Sequence, residues 1–377
     1  MSIRIEHARI VTDGAVLDDG WVRFEGNRVS AVGQGAAPVG DDELVDAAGR
    51  WLTPGFLDLH SHGGGGGAYD GGPEAIRAGL AFHRAHGTTR SVLSLVTAPQ
   101  EHLVEALRDV AAVAADDPLV LGAHLEGPFL AEGHKGAHDP AVLRDPDPAE
   151  VAALLDAAGG TLRMITIAPE RAGAEAAIRT LLDAGVVVAL GHTDAGYDVV
   201  RRGFAAGATV LTHAYNGMAD LLHRDPGPVG AALDSPGVTL ELIADGVHVH
   251  DAASRVLFAS APGRVALITD AIAAAGQADG RYVLGGLDVV VQDGEARLAE
   301  GGSLAGSTLT LDAALRRAVQ SIRVPMPVAV AAVTSTPARA LGLDDELGRL
   351  APGYAADAVL LDDDLSVAAV WAAGERL

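Results

Sequence analysis

At 377 residues, 49% of them hydrophobic and few of those aromatic, the chain can fill one large barrel and a small accessory unit. Its formal charge of −23 argues against a nucleic-acid partner, although one local Arg or His cluster still suffices for a small anionic ligand. With no cysteine, disulfides, thiolate nucleophiles and sulfur-ligated zinc are all excluded, so histidine and carboxylate are the metal ligands left.

The start, Met1-Ser2-Ile3-Arg4-Ile5-Glu6-His7, has no apolar stretch of signal-peptide kind. No later apolar run approaches the roughly 18 residues of a membrane span, so a soluble cytoplasmic protein is expected. Up to about residue 50, apolar and polar residues alternate (Ile3, Ile5; Val22, Phe24) between turn signals at Asp13-Gly14, Asp19-Gly20 and Glu25-Gly26, the pattern of short antiparallel strands. The tail from Leu350-Ala351-Pro352-Gly353 through Val359 to Trp371 reads the same way. Strands at both ends predict a small β-sandwich domain formed by residues 1–52 and 348–377, with 53–347 as an uninterrupted domain between them.

That middle alternates strand and helix. Mostly continuous apolar runs at 55–60, 89–96, 120–126, 162–168, 186–191, 209–213, 240–244 and 265–270 are candidate strands. Helical patterns lie between them at 73–86, 101–115, 148–158, 172–184 and 251–259. Eight such strands, each followed by a connection, predict an α/β fold with a closed parallel (β/α)8 TIM-like barrel. The glycines at 63–67 read as a flexible loop, 281–298 with its Gly-Gly and Asp-Gly turns as a β-hairpin inserted after the eighth strand, and 308–322 and 327–340 as helices.

Chemistry-bearing residues gather at the C-terminal ends of these strands. Glu126 ends an apolar run and is followed at once by Gly127-Pro128; a carboxylate there needs a neutralising partner, and the nearest basic residue, Lys135, lies in the next loop. His60 and His62, two apart on one strand, point to the same face, as a metal pair or as a hydrogen-bonded pair under the glycine loop. His192 and His213 taken singly read as core histidines, yet three strand-end groups can converge on one ion. Asp270 closes the eighth strand, where a carboxylate is a general base and then a general acid, or else an N-cap. In loops at the same face, Arg224 and the Asn216-Gly217 backbone suit a phosphate, while His138 and His248 lie beside them.

The chain resembles the amidohydrolase superfamily, and within it the N-acetylglucosamine-6-phosphate deacetylase family. The resemblance rests on Pro54-Gly55-Phe56-Leu57-Asp58-Leu59-His60-Ser61-His62-Gly63, His124-Leu125-Glu126-Gly127-Pro128-Phe129, Lys135-Gly136-Ala137-His138, Gly191-His192-Thr193, Thr212-His213-Ala214-Tyr215-Asn216-Gly217-Met218, Ala244-Asp245-Gly246-Val247-His248, Thr269-Asp270-Ala271 and Leu304-Ala305-Gly306-Ser307. It implies a divalent metal held by Glu126, His192 and His213, and a second at His60 and His62 bridged by Glu126, with zinc, Fe2+, Mn2+ and Co2+ as candidates. It implies Asp270 as the acid/base, His138 polarising an acetamide carbonyl, and His248 with Asn216-Gly217 holding a phosphorylated amino sugar. In a homodimer, Arg224 would reach the neighbouring subunit's site. Two departures are Gly217, where Ala is common, and His134 ahead of Lys135. The 4-epimeric sugar phosphate, an N-acyl amino acid and a non-catalytic binding scaffold are the alternatives.

Overall fold

The computed structural model describes every residue except Met1 and Asp13, so the Asp13-Gly14 turn signal falls in part outside the described residues. Eight parallel strands form the central sheet: β1 (Phe56–Ser61), β2 (Thr88–Val96), β3 (Val120–Glu126), β4 (Leu162–Ile167), β5 (Val187–Leu190), β6 (Val210–Leu211), β7 (Thr239–Ile243) and β8 (Val265–Ile268). They neighbour one another in chain order, and every residue of β1, β7 and β8 is buried. Burial on both faces is why these strands read as unbroken apolar runs.

The seam between β8 and β1 is closed just beyond the strands. Asp270 N–H donates to His60 O (2.8 Å) and His62 N–H to Ala271 O (2.7 Å). The buried Asp58 carboxylate accepts from Thr269 Oγ1 (2.6 Å), Thr269 N (3.3 Å) and His60 N (3.2 Å). Barrel closure and the placement of His60 and Asp270 therefore share one set of bonds.

Helices wrap the barrel with local signals that explain their limits. Pro148–Ala158 starts behind Asp147, whose carboxylate accepts from Ala149 N and Glu150 N, and stops at left-handed Gly159. Pro73–Ala85 buries Ile76, Leu80 and His83, a stripe spaced for one helical face. The expected helix over 172–184 begins only at Ala174, after left-handed Gly173. Two short connecting helices, Tyr197–Ala205 and Gly227–Leu233, lie outside the predicted patterns.

The stretch expected as one helix over 327–340 is two, Met326–Val333 and Ser335–Ala340, broken at Thr334. Pro337 is the cause, because its ring clashes with the carbonyl four residues back and it has no N–H to donate. The helix expected over 308–322 starts at Leu311 and widens into a π-helical turn at Ala318–Ile322.

Both chain ends meet in one sheet. Its order is 375–376, 367–372, 358–361, 51–54, 2–12, 15–25, 28–34, with 43–46 pairing the start of 2–12. Ile5, Ile10, Val22, Phe24, Leu52, Leu360 and Trp371 form the buried cluster that this curled sheet encloses. The segment expected as a hairpin is a three-stranded meander, Gly280–Leu284, Leu287–Gln292 and Glu295–Leu298, because it contains two turn signals rather than one. Its apolar side packs on Val96 and Ile272 at the barrel mouth.

The glycine stretch is a bonded two-stranded turn rather than a flexible loop. Gly63–Gly64 pairs with Gly67–Ala68, Gly65 N donates to Ala275 O (2.8 Å), and buried His83 sits 2.8 Å from Gly63 O. Among the described residues no helix is long and apolar enough to cross a membrane.

Candidate active site

The residues singled out in the sequence stand where barrel strands end. The chain turns through left-handed backbone at three of them, His192 (φ 45°), His213 (φ 22°) and Asp270 (φ 49°). Such conformations cost on the order of 1–3 kcal/mol each for residues with a Cβ, and they recur at functional sites. Here the reversal turns each side chain back over the barrel mouth.

Glu126 is the junction. Its Oε1 lies 3.1 Å from His192 Nε2 and 3.1 Å from His213 Nε2, and those two nitrogens are 3.0 Å apart. Its Oε2 lies 3.2 Å from His62 Nε2 and 3.3 Å from His138 Nε2. His62 Nε2 is 3.2 Å from Asp270 Oδ1 and 3.1 Å from His60 Nε2. Two donor groups result, Glu126/His192/His213 and His60/His62/Asp270, with the ligand atoms within each all inside 4.8 Å of one another and every residue buried.

The outer nitrogens fix what these atoms are. His192 Nδ1 donates to His134 O (2.8 Å), and His213 Nδ1 donates to Asn216 O (3.1 Å). A carbonyl oxygen only accepts, so in the neutral rings both Nε2 atoms carry bare lone pairs. Two lone pairs and a carboxylate oxygen held at 3.0–3.1 Å repel unless a cation lies among them. Those separations approach the edge of a tetrahedron, about 3.3 Å, built on the roughly 2.0–2.1 Å bonds of zinc to nitrogen and oxygen. The residues fit a divalent cation.

Electrostatics follow the same layout. Burial raises the Glu126 carboxyl, but the surrounding imidazoles outweigh it and hold the group well below the usual carboxylate range. Asp270 is likewise held low by His60 and His62 against its burial. Burial opposes charge on His62, yet Asp270 and Glu126 push it up to about 9. Burial lowers His138 to about 4, although Glu126 pulls the other way. His248 is raised, its burial outweighed by Asp245, whose Oδ2 lies 2.6 Å from Nδ1.

One cavity collects most of the predicted set: His62, Glu126, His138, His192, His213, Asn216, Gly217, His248 and Asp270 all line it. His60 lies beneath, fully buried. Arg224 is exposed on the loop after Gly217 and does not line this cavity. Gly217 is left-handed (φ +59°), and a Cβ there would stand 2.9 Å from His192 Nδ1, so a side chain would press on that ring.

Sequence reasoning missed four contributors. Glu241, on β7, is fully buried 3.1 Å from His60 Nδ1; it carries the signal that marked Glu126, a carboxylate within an apolar strand. His124 lies under His60, spanning Ser94 Oγ and Thr166 Oγ1 at 2.9 Å each. Leu284 and Ser303 reach the cavity from the meander and its exit, which no local motif announces.

Comparison with known proteins gives concordant results. The Amidohydrolase family matches residues 51–377. The chain is 41% identical over 372 residues, 97% of each chain, to an N-acetylgalactosamine-6-phosphate deacetylase of Escherichia coli O157:H7. It is 39% identical over 327 residues, 86% of this chain and 82% of the other, to an N-acetylglucosamine-6-phosphate deacetylase of Vibrio furnissii. A solved structure of a Mycobacterium smegmatis N-acetyl-D-glucosamine-6-phosphate deacetylase mutant, in complex with N-acetyl-D-glucosamine-6-phosphate, superposes with a TM-score of 0.95. That structure is 44% identical, and the match covers 100% of this chain and 99% of the other.

Proposed function

The chain belongs to the amidohydrolase family, and we propose that it is a metal-dependent deacetylase. Its reaction is hydrolysis of the acetamide of N-acetyl-D-glucosamine 6-phosphate to D-glucosamine 6-phosphate and acetate, in amino-sugar catabolism and cell-wall recycling. The observation that carries this reading is the junction at Glu126, where two donor triads meet in a cavity also lined by His138, His248 and Asp270. The kinship to named deacetylases supports the substrate.

Glu126, His192 and His213 would hold the main cation, and His60 and His62 with Asp270 beside them a second bridged by Glu126. Zinc is the first assignment, and Fe2+, Mn2+ and Co2+ accept the same ligands. A cation bound there supplies Lewis acidity, which acidifies water and polarises the acetyl carbonyl.

The protein's own groups do the rest. Asp270, kept ionised, takes the proton of the attacking water as the C–O bond forms, then delivers it to the amine nitrogen as the C–N bond breaks. His138 is neutral at physiological pH and donates a hydrogen bond to the carbonyl oxygen as charge builds there. His248, oriented by Asp245, and the Asn216-Gly217 segment hold the sugar and its phosphate. Arg224 reaches the phosphate in the partner's site of a homodimer; the exposed apolar Leu221 and Leu222 beside it support that contact. The compartment is the cytoplasm, where charged sugar phosphates are retained.

A second reading, the galactosamine epimer, is favoured by the 41% identical relative named for that substrate. The test is acetate release by zinc-reconstituted protein from both 6-phosphates and from unphosphorylated N-acetylglucosamine. Turnover of the 6-phosphates alone is expected, with the faster one naming the epimer. Asp270→Asn should lower kcat by about 10²–10⁴, and Arg224→Ala should raise KM for the phosphorylated sugar while sparing kcat. No release from either epimer, or equal release without the phosphate, would refute the assignment.

A further inference from the structure

The four imidazoles that converge on Glu126 from the two donor triads are not anchored alike. His192 and His213 donate from Nδ1 to backbone carbonyls, which bring a dipole and no net charge. His62 Nδ1 is buried with no hydrogen-bond partner. His60 alone donates to a carboxylate, that of Glu241. In the His60/His62/Asp270 group, therefore, just one outer nitrogen is fixed, and a formal charge fixes it.

Glu241 is itself hard to account for as packing. It lies in the apolar run Leu240-Glu241-Leu242-Ile243 with no exposure at all. Its Oε2 receives His60 Nδ1–H (3.1 Å) and the backbone N–H of His213 (3.2 Å), while its Oε1 is buried with no hydrogen-bond partner. Burying a carboxylate with only one imidazole and one amide to meet it is costly. A cation on the far side of the His60 ring would compensate it, because the ring passes the attraction through: Glu241 makes Nε2 the bare nitrogen and increases its basicity. The backbone of Glu241 also receives Ala214 N–H (2.8 Å), so this one residue touches an element of each triad.

We propose that Glu241 is a positioning residue that makes the His60/His62/Asp270 group competent to hold a second divalent cation, through the hydrogen bond and charge it places on His60 Nδ1. The inference rests on the two-cation reading above. The Glu126/His192/His213 ion would depend on it far less, since only the main chain of His213 touches the carboxylate.

The test counts Co2+ ions. Metal-free wild type and Glu241→Gln are titrated with Co2+ against a competing chelator, ions per chain are measured after dialysis, and the visible absorption of each equivalent is recorded. Wild type should take two ions. Glu241→Gln should keep the first at wild-type affinity and bind the second about 10–100-fold more weakly, with the absorption bands of the second equivalent displaced. Its metal-free melting temperature should not fall below the wild-type value, because a neutral amide is cheaper to bury than a carboxylate. If Glu241→Gln does not accumulate, Glu241→Asp, whose shorter side chain keeps the charge but loses the 3.1 Å contact, should show the same selective loss. Two ions at wild-type affinity in the variant overturn the role of Glu241 alone. A single ion in wild type overturns the two-cation reading and this proposal with it.

Discussion

Cation binding at the His60/His62/Asp270 group should be strongly pH-dependent, with a sign that the structure sets. The His62 imidazole, opposed by burial but held by Asp270 and Glu126, has its pKa pushed up to about 9. The metal-free chain thus keeps that proton until the pH passes about 9, and a cation that needs the same lone pair must expel it. At pH 7 the group lies about two pH units below its pKa, a penalty of about 2.7 kcal/mol at 1.36 kcal/mol per unit. Affinity at this group should therefore rise at least about 50-fold from pH 7 to pH 9 through His62 alone, and His60, raised by the same carboxylates, steepens the rise. Chelator competition across that range measures the slope. Calorimetry at pH 7 in buffers of different ionisation enthalpy counts the protons, with at least one expected per ion bound there. An affinity that stays flat between pH 7 and 9, with no proton released, would sink the electrostatic account.

Two further outcomes test the frame around the site. Burial depresses His83 to about 4 even though it donates to Gly63 O, so its stabilising contribution is complete above pH 6.5 and drains as the pH falls towards 4, a loss of about 2–3 kcal/mol by pH 4.5. His83→Gln keeps a donor without the titration, and urea unfolding at pH 7 and 4.5 should show that much less acid sensitivity; equal acid losses in both proteins contradict the reasoning. Gly306→Ala puts a Cβ 2.5 Å from Ile272 Cγ2 and 2.8 Å from Asp270 O at a left-handed backbone (φ +60°), for a cost of about 1–3 kcal/mol. Because Ser307 N–H anchors Asp270 O at 2.7 Å, both the melting temperature and kcat should fall, and an unchanged pair of values would count against the clash.

What the sequence made legible follows from what is costly to bury. A charge at the end of an apolar strand is rare without a reason, so Glu126, His192, His213 and Asp270 stood out, and the structure sets all four at one barrel mouth. The same physics applied to Glu241, but it sits in mid-strand rather than at a tip, where a search for strand ends passes over it. The two turn signals within 281–298 already implied three strands, since a hairpin needs only one. Other features were out of reach for a physical reason. The tautomers of His192 and His213 are set by the carbonyls of His134 and Asn216, and a backbone carbonyl looks the same whatever residue carries it. Sequence can therefore nominate the imidazoles, whereas the direction of their lone pairs is decided by loop geometry. That direction is what turns a cluster of histidines into a set of ligands.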